Sequence, residues 1–422
     1  MSICEISWVR RVTLVVAICF LTALVVLTVA RLRGRKVARV ADPQAIEALK
    51  AFEKPAIPDE ENAAKWLAGG AGAVVWSMAE KAAVGTASGR PISEWDQETE
   101  ATVREALDRH RGALDTMSVA VGIEQTSFDI RYSDGTEAEL PDLLEILRAV
   151  RLLACQARIA FADGNPEGGL VALATMNRMA SSLYKESSLI TFMIAVAAER
   201  IMLVQAAEAV SFDEVWACNP EFLDELEAVV LQTDQMRDLR RVLGAWEATL
   251  WAAATKGVTR WEFDPKGSLE LSDDLDREDI QKACRRVEEW LPIPYGRTLE
   301  RLTQLEAEAK AQEPANGIES DLVGFNKAIG RAQSVAAQRQ LIRAAITMRR
   351  TMLETGSYPL DRPEHPDLTD PDPFTDKQLS YQPGSDGSLT IEVVGLADLL
   401  TSITVPGMVR YIRPITLPAT GG

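Results

Sequence analysis

The side chains that most often build catalytic or metal sites are few and scattered in this chain. Its two histidines, His110 and His365, lie far apart in sequence. A zinc site, or a Ser-His-Asp or Cys-His site, needs several such residues at characteristic spacings. The sequence therefore disfavours all three kinds of site. Because His110 stands among Asp108, Arg109 and Arg111, it is predicted to lie on a solvated helix face.

The cysteines also fail to indicate chemistry. The chain has five, with no Cys-x-x-Cys pair. An odd, scattered set is poor support for a disulfide framework. Cys155 and Cys284 lie within helical patterns and are predicted to be buried free thiols that pack as small apolar side chains.

Two further patterns could bind ligands but lack the features that such sites require. Gly69, Gly70 and Gly72 are not followed by the Gly-Lys-Ser/Thr of a phosphate loop, so they indicate close helix packing. The acidic run at 272–279 could hold a cation, but it lacks the ordered spacing of an EF-hand loop. It is predicted to be a solvated charge run.

One uncharged segment indicates a membrane. The 19 residues from Val12 to Ala30 follow Arg10 and Arg11 and would reach about 28 Å as a helix, close to the hydrocarbon thickness of a bilayer. A single transmembrane helix in a bacterial inner (plasma) membrane is therefore predicted. Just after it come the basic residues Arg31, Arg33, Arg35, Lys36 and Arg39. These side chains are predicted to contact anionic lipid headgroups.

Two aspects of this anchor stay open. A cleavable signal peptide is the alternative, but its apolar core is usually about 7 to 15 residues long, and the candidate site Thr28-Val29-Ala30 is followed directly by arginine. The orientation is also unresolved. The excess of Lys and Arg after the segment favours a cytoplasmic C-terminal side, whereas chains with this arrangement usually export the large domain that follows.

Charge constrains the partners of the soluble part. The first 39 residues hold seven Lys or Arg and one Glu, a net charge of +6. Because the whole chain carries −17, the remaining residues carry −23. Such an acidic surface repels phosphate backbones, and binding to nucleic acid is not expected. The lipid bilayer and one or more unknown protein partners are the predicted partners.

The periodicity of apolar residues predicts a mainly helical fold. After a short helix from Asp42-Pro43 to Phe52, helices are predicted over Asp59 to Val84 and Gln97 to Val121. The clearest pattern is a helical hairpin whose turn is 163–166. Further helices are predicted from 190 to 204, from Asn219-Pro220 to Leu250, over 279–290, 297–312 and 323–355.

These elements predict an antiparallel helical bundle or a layer of helical hairpins. The hairpin around 163–166 is weakly similar to a tetratricopeptide hairpin, although no second copy at about 34 residues follows. The domain order is predicted as an N-terminal tail 1–11, a transmembrane helix 12–30, a basic juxtamembrane stalk 31–58, a helical domain 59–355 and a small β/loop module 356–422.

The end of the chain carries a resemblance. Turn residues and the alternation of Leu389, Ile391 and Val393 by themselves predict a small β-hairpin. The segment 348–395 also resembles the C-terminal region of type II secretion major pseudopilins, in which a helix ends at G-x-Y-P and an Asp-Pro-aromatic motif follows. The matching residues are Gly356, Tyr358, Pro359, Asp372, Pro373, Phe374, Tyr381 and Gly395.

That resemblance implies a calcium site in the C-terminal loop. Pseudopilins of this kind bind calcium there, which would make Asp370, Asp372, Asp376 or Asp386 oxygen ligands, and hard carboxylates suit this ion. The alternative is that these loop aspartates close turns through their own backbone. The pseudopilin processing site, a Gly-Phe pair before the apolar segment, is not present here.

The central region is also similar to a set of uncharacterised membrane-anchored bacterial helical proteins, and this resemblance covers most of the chain. They share an Asn-Ala-Ala near a helix start, here 62–64, a hairpin with a Gly-Asn or Gly-Asp turn, and the same tail. The expected role is a non-enzymatic, single-pass membrane scaffold or interaction protein. The alternatives are an envelope-assembly or secretion component related to pseudopilins, and a carboxylate-dependent hydrolase.

Overall fold

A computed structural model describes residues 42–212, 219–230, 235–256, 260–261, 269–270, 277–294, 297, 317–394, 412 and 414–419. The described chain is mainly helical and ends in a small three-stranded antiparallel sheet. The predicted membrane segment 12–30 and the predicted helix 297–312, apart from residue 297, lie outside the described residues.

Helices make up most of the described chain. They are α1 Pro43–Lys50, α2 Ala63–Gly72, α3 Met78–Ala87, α4 Gln97–Arg109, α5 Arg111–Val119, α6 Leu143–Ala162, α7 Pro166–Tyr184, α8 Leu189–Ser211, α9 Pro220–Val230, α10 Gln235–Lys256, α11 Arg277–Trp290, α12 Gly317–Thr355 and α13 Pro366–Thr369. Short 3₁₀ turns lie at Asp59–Glu61, Ile92–Glu94, Ala120–Gly122 and Tyr132–Glu137.

The helix predicted over 59–84 is two helices, which corrects the prediction. Asn62 caps α2 by accepting a hydrogen bond from the backbone N–H of Ala64 at 3.1 Å. A new start follows at Ser77, whose side chain and that of Glu80 form a reciprocal capping box for α3. Because these polar side chains satisfy the free N–H groups of a helix start, the chain turns here instead of continuing.

The helix predicted over 97–121 is also interrupted. The backbone of His110 leaves the helical region, at φ −101° and ψ 13°, and separates α4 from α5. The close packing expected from the glycine pattern holds at Gly70, where an added Cβ would lie 2.4 Å from Cγ of Met117 on α5. At Gly69 and Gly72 no atom of another described element lies within 4 Å of such a Cβ, so the expectation is wrong for them.

The predicted helical hairpin is confirmed and lies at the centre of the core. Its helices α6 and α7 are joined by a turn in which Gly164 has φ +71°, a conformation that favours glycine. Asn165 caps α7 by accepting from the N–H of Gly168 at 3.0 Å. Helix α8 packs against both helices of the hairpin. Most apolar side chains of the three helices are buried together.

Helix α12 is the longest element and packs along α8. Its Arg349 is fully buried and donates hydrogen bonds to the carbonyls of Val210 and Phe212, at 3.2 and 2.9 Å. A helix C-terminus has carbonyl groups without intrahelical partners, and a guanidinium satisfies both hydrogen bonding and charge there. Arg349 therefore fixes the end of α8 against α12. Gly356, at φ +79°, ends α12 as predicted.

Two parts of the remaining chain differ from expectation. The helix predicted from Asn219-Pro220 to Leu250 is two helices, α9 and α10, and residues 231–234 between them lie outside the described residues. Within the expected loop after α10, Arg260–Trp261 and Leu269–Glu270 pair as two short antiparallel strands, β1 and β2. Helix α1 packs against α10, where Ala45 and Leu49 form a second small core with Ala248 and Ala252.

The predicted C-terminal hairpin is confirmed, and a third strand joins it. Strands β3 Ser380–Pro383 and β4 Leu389–Glu392 pair in antiparallel register, with Tyr381 opposite Ile391. Strand β5 Ile415–Leu417, which the sequence pattern did not reveal, pairs with the other edge of β4. The inward side chains of β4 and β5 are buried on the core of the helices, so the sheet packs on α8 and α12.

Candidate functional site

The four aspartates predicted to bind calcium occupy separate positions in the C-terminal loop. Asp372 is fully buried, and its Oδ1 accepts hydrogen bonds from the backbone N–H groups of Phe374 and Thr375 at 2.9 and 2.8 Å. Its Oδ2 accepts from the hydroxyl of Thr375. The carboxylate therefore closes its own turn, as short polar side chains commonly do.

The other three aspartates also have local roles. Asp370 ends α13, and Asp376, at φ +61°, forms an ion pair with Arg297. Asp386 is exposed and accepts from the N–H and hydroxyl of Ser388 at 3.0 and 2.6 Å, which lowers the pKa of its carboxyl. Among the described residues no three His, Cys, Asp or Glu side chains come together as a metal site. Calcium binding stays a prediction.

The predicted headgroup-binding residues, Arg31, Arg33, Arg35, Lys36 and Arg39, all lie outside the described residues. Their contact with lipid stays a prediction from the sequence.

The prediction that His110 lies on a solvated face is wrong. Its side chain is 6% exposed because the chain turns at this residue and directs the ring inward. Its Nε2 lies 3.4 Å from Oε1 of Glu80, and its ring centre lies 6.0 Å from that of Trp76. Arg109 also contacts Glu80, at 3.0 Å. The neighbouring charged residues suggested that the ring of His110 is exposed. The break between α4 and α5 instead places the ring inside the protein.

Glu186, just after α7, is a buried carboxylate that connects its own segment to Lys54 and to the segment of Phe128 and Tyr132. Its Oε1 accepts from Nζ of Lys54 at 2.5 Å and from the N–H of Phe128 at 3.2 Å, and its Oε2 accepts from the hydroxyl of Tyr132 at 3.2 Å. Tyr132 in turn accepts from the N–H of Ser187 at 2.7 Å. Burial lowers the pKa of Lys54 and raises that of Tyr132.

A second buried carboxylate, Glu199, lies at the middle of α8. Its Oε2 accepts from the hydroxyl of Tyr184 and from Nε2 of Gln235, both at 2.6 Å, and its Oε1 pairs with Arg339 of α12. Burial is the first cause that raises the pKa of Tyr184 and lowers that of Arg339. Since Glu186 lies two residues beyond Tyr184, buried polar side chains occur both at the α7–α8 turn and at the middle of α8.

The arrangement of these acids favours structure over acid–base chemistry. Glu186 and Glu199 are each 1% exposed, and every carboxylate oxygen named above has a donor within the protein. A general acid or base must reach a proton on the substrate, and these oxygens face internal donors instead. Neither residue was predicted from the sequence, although the Glu199-Arg200 pair within the apolar stretch of α8 is a signal of buried polar contacts.

The buried thiols agree with expectation. Cys155 and Cys284 are free and buried, and burial raises the pKa of each thiol to about 12. Since the thiolate is the reactive form, neither side chain is suited to nucleophilic catalysis in the folded protein.

One described helix is long and apolar enough to cross a membrane. It is α8, Leu189–Ser211, and 56% of its most apolar window is buried inside the protein. Its polar side chains, Glu199 above all, make internal bonds, which fits a core helix.

Comparison with known proteins gives no match. The chain fits no family model, and no curated protein sequence or solved structure is similar to it.

Proposed function

We propose that this protein is a non-enzymatic, single-pass membrane-anchored scaffold or interaction protein. In this proposal Val12 to Ala30 spans a bacterial inner membrane and the basic residues from Arg31 to Arg39 contact anionic headgroups. The helical part forms an antiparallel bundle or a layer of hairpins, with α6 and α7 weakly similar to a tetratricopeptide hairpin. The C-terminal sheet is a small accessory module.

The observation that carries this proposal is the use made of the buried acids. Glu186, Glu199 and Asp372 each accept several internal hydrogen bonds. Glu186 and Glu199 connect distant parts of the chain, and Asp372 orders its own loop. Satisfied buried polar networks make a core rigid and specific. A rigid acidic body on a membrane anchor suits the presentation of a binding surface, and it supports a scaffold over a carboxylate-dependent hydrolase.

The test is site-specific photo-cross-linking of the full-length protein in its native membrane. A photoreactive residue is placed at Val75, Met78 or Leu360, which are 78, 81 and 85% exposed. The expected result is adducts to a small, distinct set of proteins. The control position is Leu173, which is fully buried and should give no adduct to another protein. Adducts to lipid alone, or none, would contradict the scaffold proposal.

An envelope-assembly or secretion role related to pseudopilins is a second candidate, favoured by contacts among the residues that carry the resemblance. Tyr381 donates to the carbonyl of Pro359 at 2.5 Å, and the hydroxyl of Tyr358 donates to that of Pro418 at 3.4 Å. Asp372 orders the loop that buries Phe374. This role requires polymerisation or docking to a secretion machine. Cross-linking in membranes that recovers monomers and no secretion partner would exclude it.

The partners available to the helical domain depend on the side of the membrane on which it lies. Protease digestion of intact spheroplasts shows which side that is. An exported domain is digested before the membrane is opened, whereas a cytoplasmic domain is protected until then. Protection would exclude a role in secretion outside the membrane.

The calcium prediction is tested with the full-length protein in nanodiscs, where calcium should raise the unfolding temperature relative to chelator if the loop aspartates bind the ion.

A further inference from the structure

A cavity of about 310 Å³ lies where the C-terminal sheet meets the helices. Its walls come from the second half of α8, the 3₁₀ turn Ile92–Glu94, α12 and the start of β5. The volume is at the lower end of the range for small-molecule sites, roughly 300 to 1,000 Å³. The C-terminal aspartates do not belong to its lining.

The cavity contains a buried guanidinium with one nitrogen that has no partner. Arg158 of α6 is 3% exposed and lines the cavity. Its Nε donates to Oε2 of Glu208 at 2.6 Å, and its Nη1 donates to the carbonyl of Ala87 at 2.5 Å. Its Nη2 is buried and makes no hydrogen bond to any residue that the structure describes. A buried donor without an acceptor costs free energy that a suitable ligand would recover.

The charges around that nitrogen restrict the ligand. Glu208 also lines the cavity and neutralises Arg158, so the local net charge of the pair is zero. A ligand carboxylate at Nη2 would be attracted by Arg158 but repelled by Glu208, whereas a neutral carbonyl accepts the hydrogen bond without that repulsion. Gln338 adds a buried amide to the wall.

The other walls are apolar and the mouth is open to solvent. Ile92, Val204 and Ala207 provide apolar surface, as do Ile415 of β5 and Pro414 just before that strand. Glu208 is 24% exposed and Ser93 is exposed, so solvent reaches the wall of the cavity on the Glu208 side of the ion pair. An apolar wall with a few polar groups that fix orientation is typical of small-molecule sites.

We propose that this cavity binds a small neutral molecule that has a carbonyl acceptor and a short apolar body. The carbonyl oxygen accepts from Nη2 of Arg158, and the apolar body lies against Val204 and Ala207. This site is additional to the scaffold role, since it requires neither the membrane anchor nor a protein partner. The bound molecule would bridge the C-terminal sheet and the helices, and its binding would stabilise their contact.

The experiment measures binding of three matched probes to the full-length protein in nanodiscs. The probes are butanamide, butanoate and butylammonium, which share the chain length and differ in charge and hydrogen bonding. Ligand-detected saturation-transfer NMR is used, with empty nanodiscs as the blank. We expect saturable binding of butanamide, and at least about tenfold weaker binding of the two ions. Absence of saturable butanamide binding overturns the proposal.

Two variants test the location. Ala207→Leu places a larger side chain in the cavity without altering the ion pair and should abolish butanamide binding. The matched control is Val171→Leu, an enlargement at a half-exposed position of α7 remote from the cavity lining, which should bind as the unaltered protein does. Equal binding to the Ala207→Leu variant and the unaltered protein overturns the proposal.

A charge variant tests the chemistry separately. Glu208→Gln keeps an acceptor for Nε of Arg158 but leaves the local charge at +1. Butanoate should then bind about tenfold more tightly than to the unaltered protein, while butanamide binding is kept. If circular dichroism shows that Ala207→Leu does not fold, this measurement decides. An unchanged affinity for butanoate in the Glu208→Gln variant overturns the assignment to Arg158.

Discussion

Buried acids have different uses in the central helices and in the C-terminal loop. Glu199 accepts hydrogen bonds from Tyr184 and Gln235 and pairs with Arg339, so it connects α7, α8, α10 and α12. Asp372 accepts only from residues two and three positions later in its own loop. The first acid fixes tertiary contacts and the second fixes local backbone. Burial alone does not identify what an acid does, whereas the sequence distance to its donors does.

The largest expected effect comes from removing the central acid. Glu199→Leu leaves the guanidinium of Arg339 buried without its carboxylate, and such a loss costs about 3 to 5 kcal/mol in the free energy of unfolding. Denaturant unfolding of the full-length protein in nanodiscs, followed by circular dichroism, measures it.

The control for this variant replaces both charges. Glu199→Leu combined with Arg339→Met removes the unpaired charge and should recover a large part of the lost stability. A double variant no more stable than Glu199→Leu alone would mean that the hydrogen bonds of Tyr184 and Gln235, and not the ion pair, dominate the network.

A smaller loss is expected in the loop. Asp372→Ala leaves the buried N–H groups of Phe374 and Thr375 without acceptors, which costs about 1 to 3 kcal/mol. The matched control is Asp386→Ala in the same region, where the carboxylate is exposed and the change should stay within about 0.5 kcal/mol. Equal losses for the two variants would remove the distinction between a buried and an exposed turn aspartate.

Packing between α2 and α5 gives a third test, within the helical region. Gly70→Ala places a Cβ 2.4 Å from Cγ of Met117 and 2.8 Å from the carbonyl of Ala113, and should cost about 1 to 3 kcal/mol. Gly69→Ala meets no atom within 4 Å and should stabilise α2 by up to about 1 kcal/mol. Thermal unfolding of the two variants should therefore shift in opposite directions.

The smallest effect concerns acid pH. Burial raises the pKa of Glu80, but hydrogen bonds from Ser77 and the charges of Arg109 and His110 outweigh it, so the pKa lies below its ordinary value of 4.5. Its stabilising contribution is therefore present above pH 4.5 and is lost as the pH falls through the lowered pKa. Unfolding at pH 5 and pH 3 should show a smaller loss for Glu80→Gln than for the unaltered protein.

Long periodic helices could be predicted from the sequence, because one apolar stripe repeats over many turns. The hairpin of α6 and α7, helix α8 and the end of α12 at Gly356 are examples. The breaks at Ser77 and His110 were missed because both lie within patterns that remain periodic on each side. Strand β5 has three residues, too few for an alternation to be recognised.

The candidate sites were less accessible from the sequence, for a physical reason. The donors to Glu186 come from Lys54, Phe128 and Tyr132, more than 50 residues away in the chain, so no local spacing marks them. The cavity at Arg158 likewise needs α6, α8, α12 and β5 together. Asp372 could be identified as a turn residue because its partners are its near neighbours.

Glu199 and its neighbour Arg200 stand at the middle of α8, the described helix that is apolar and long enough to span a bilayer. During synthesis, an apolar segment can meet the membrane-insertion machinery before its tertiary contacts have formed. A central arginine opposes insertion by about 2.5 to 3.5 kcal/mol. The two charges therefore oppose insertion of this segment into lipid. Replacing both by leucine should favour its insertion into a bilayer.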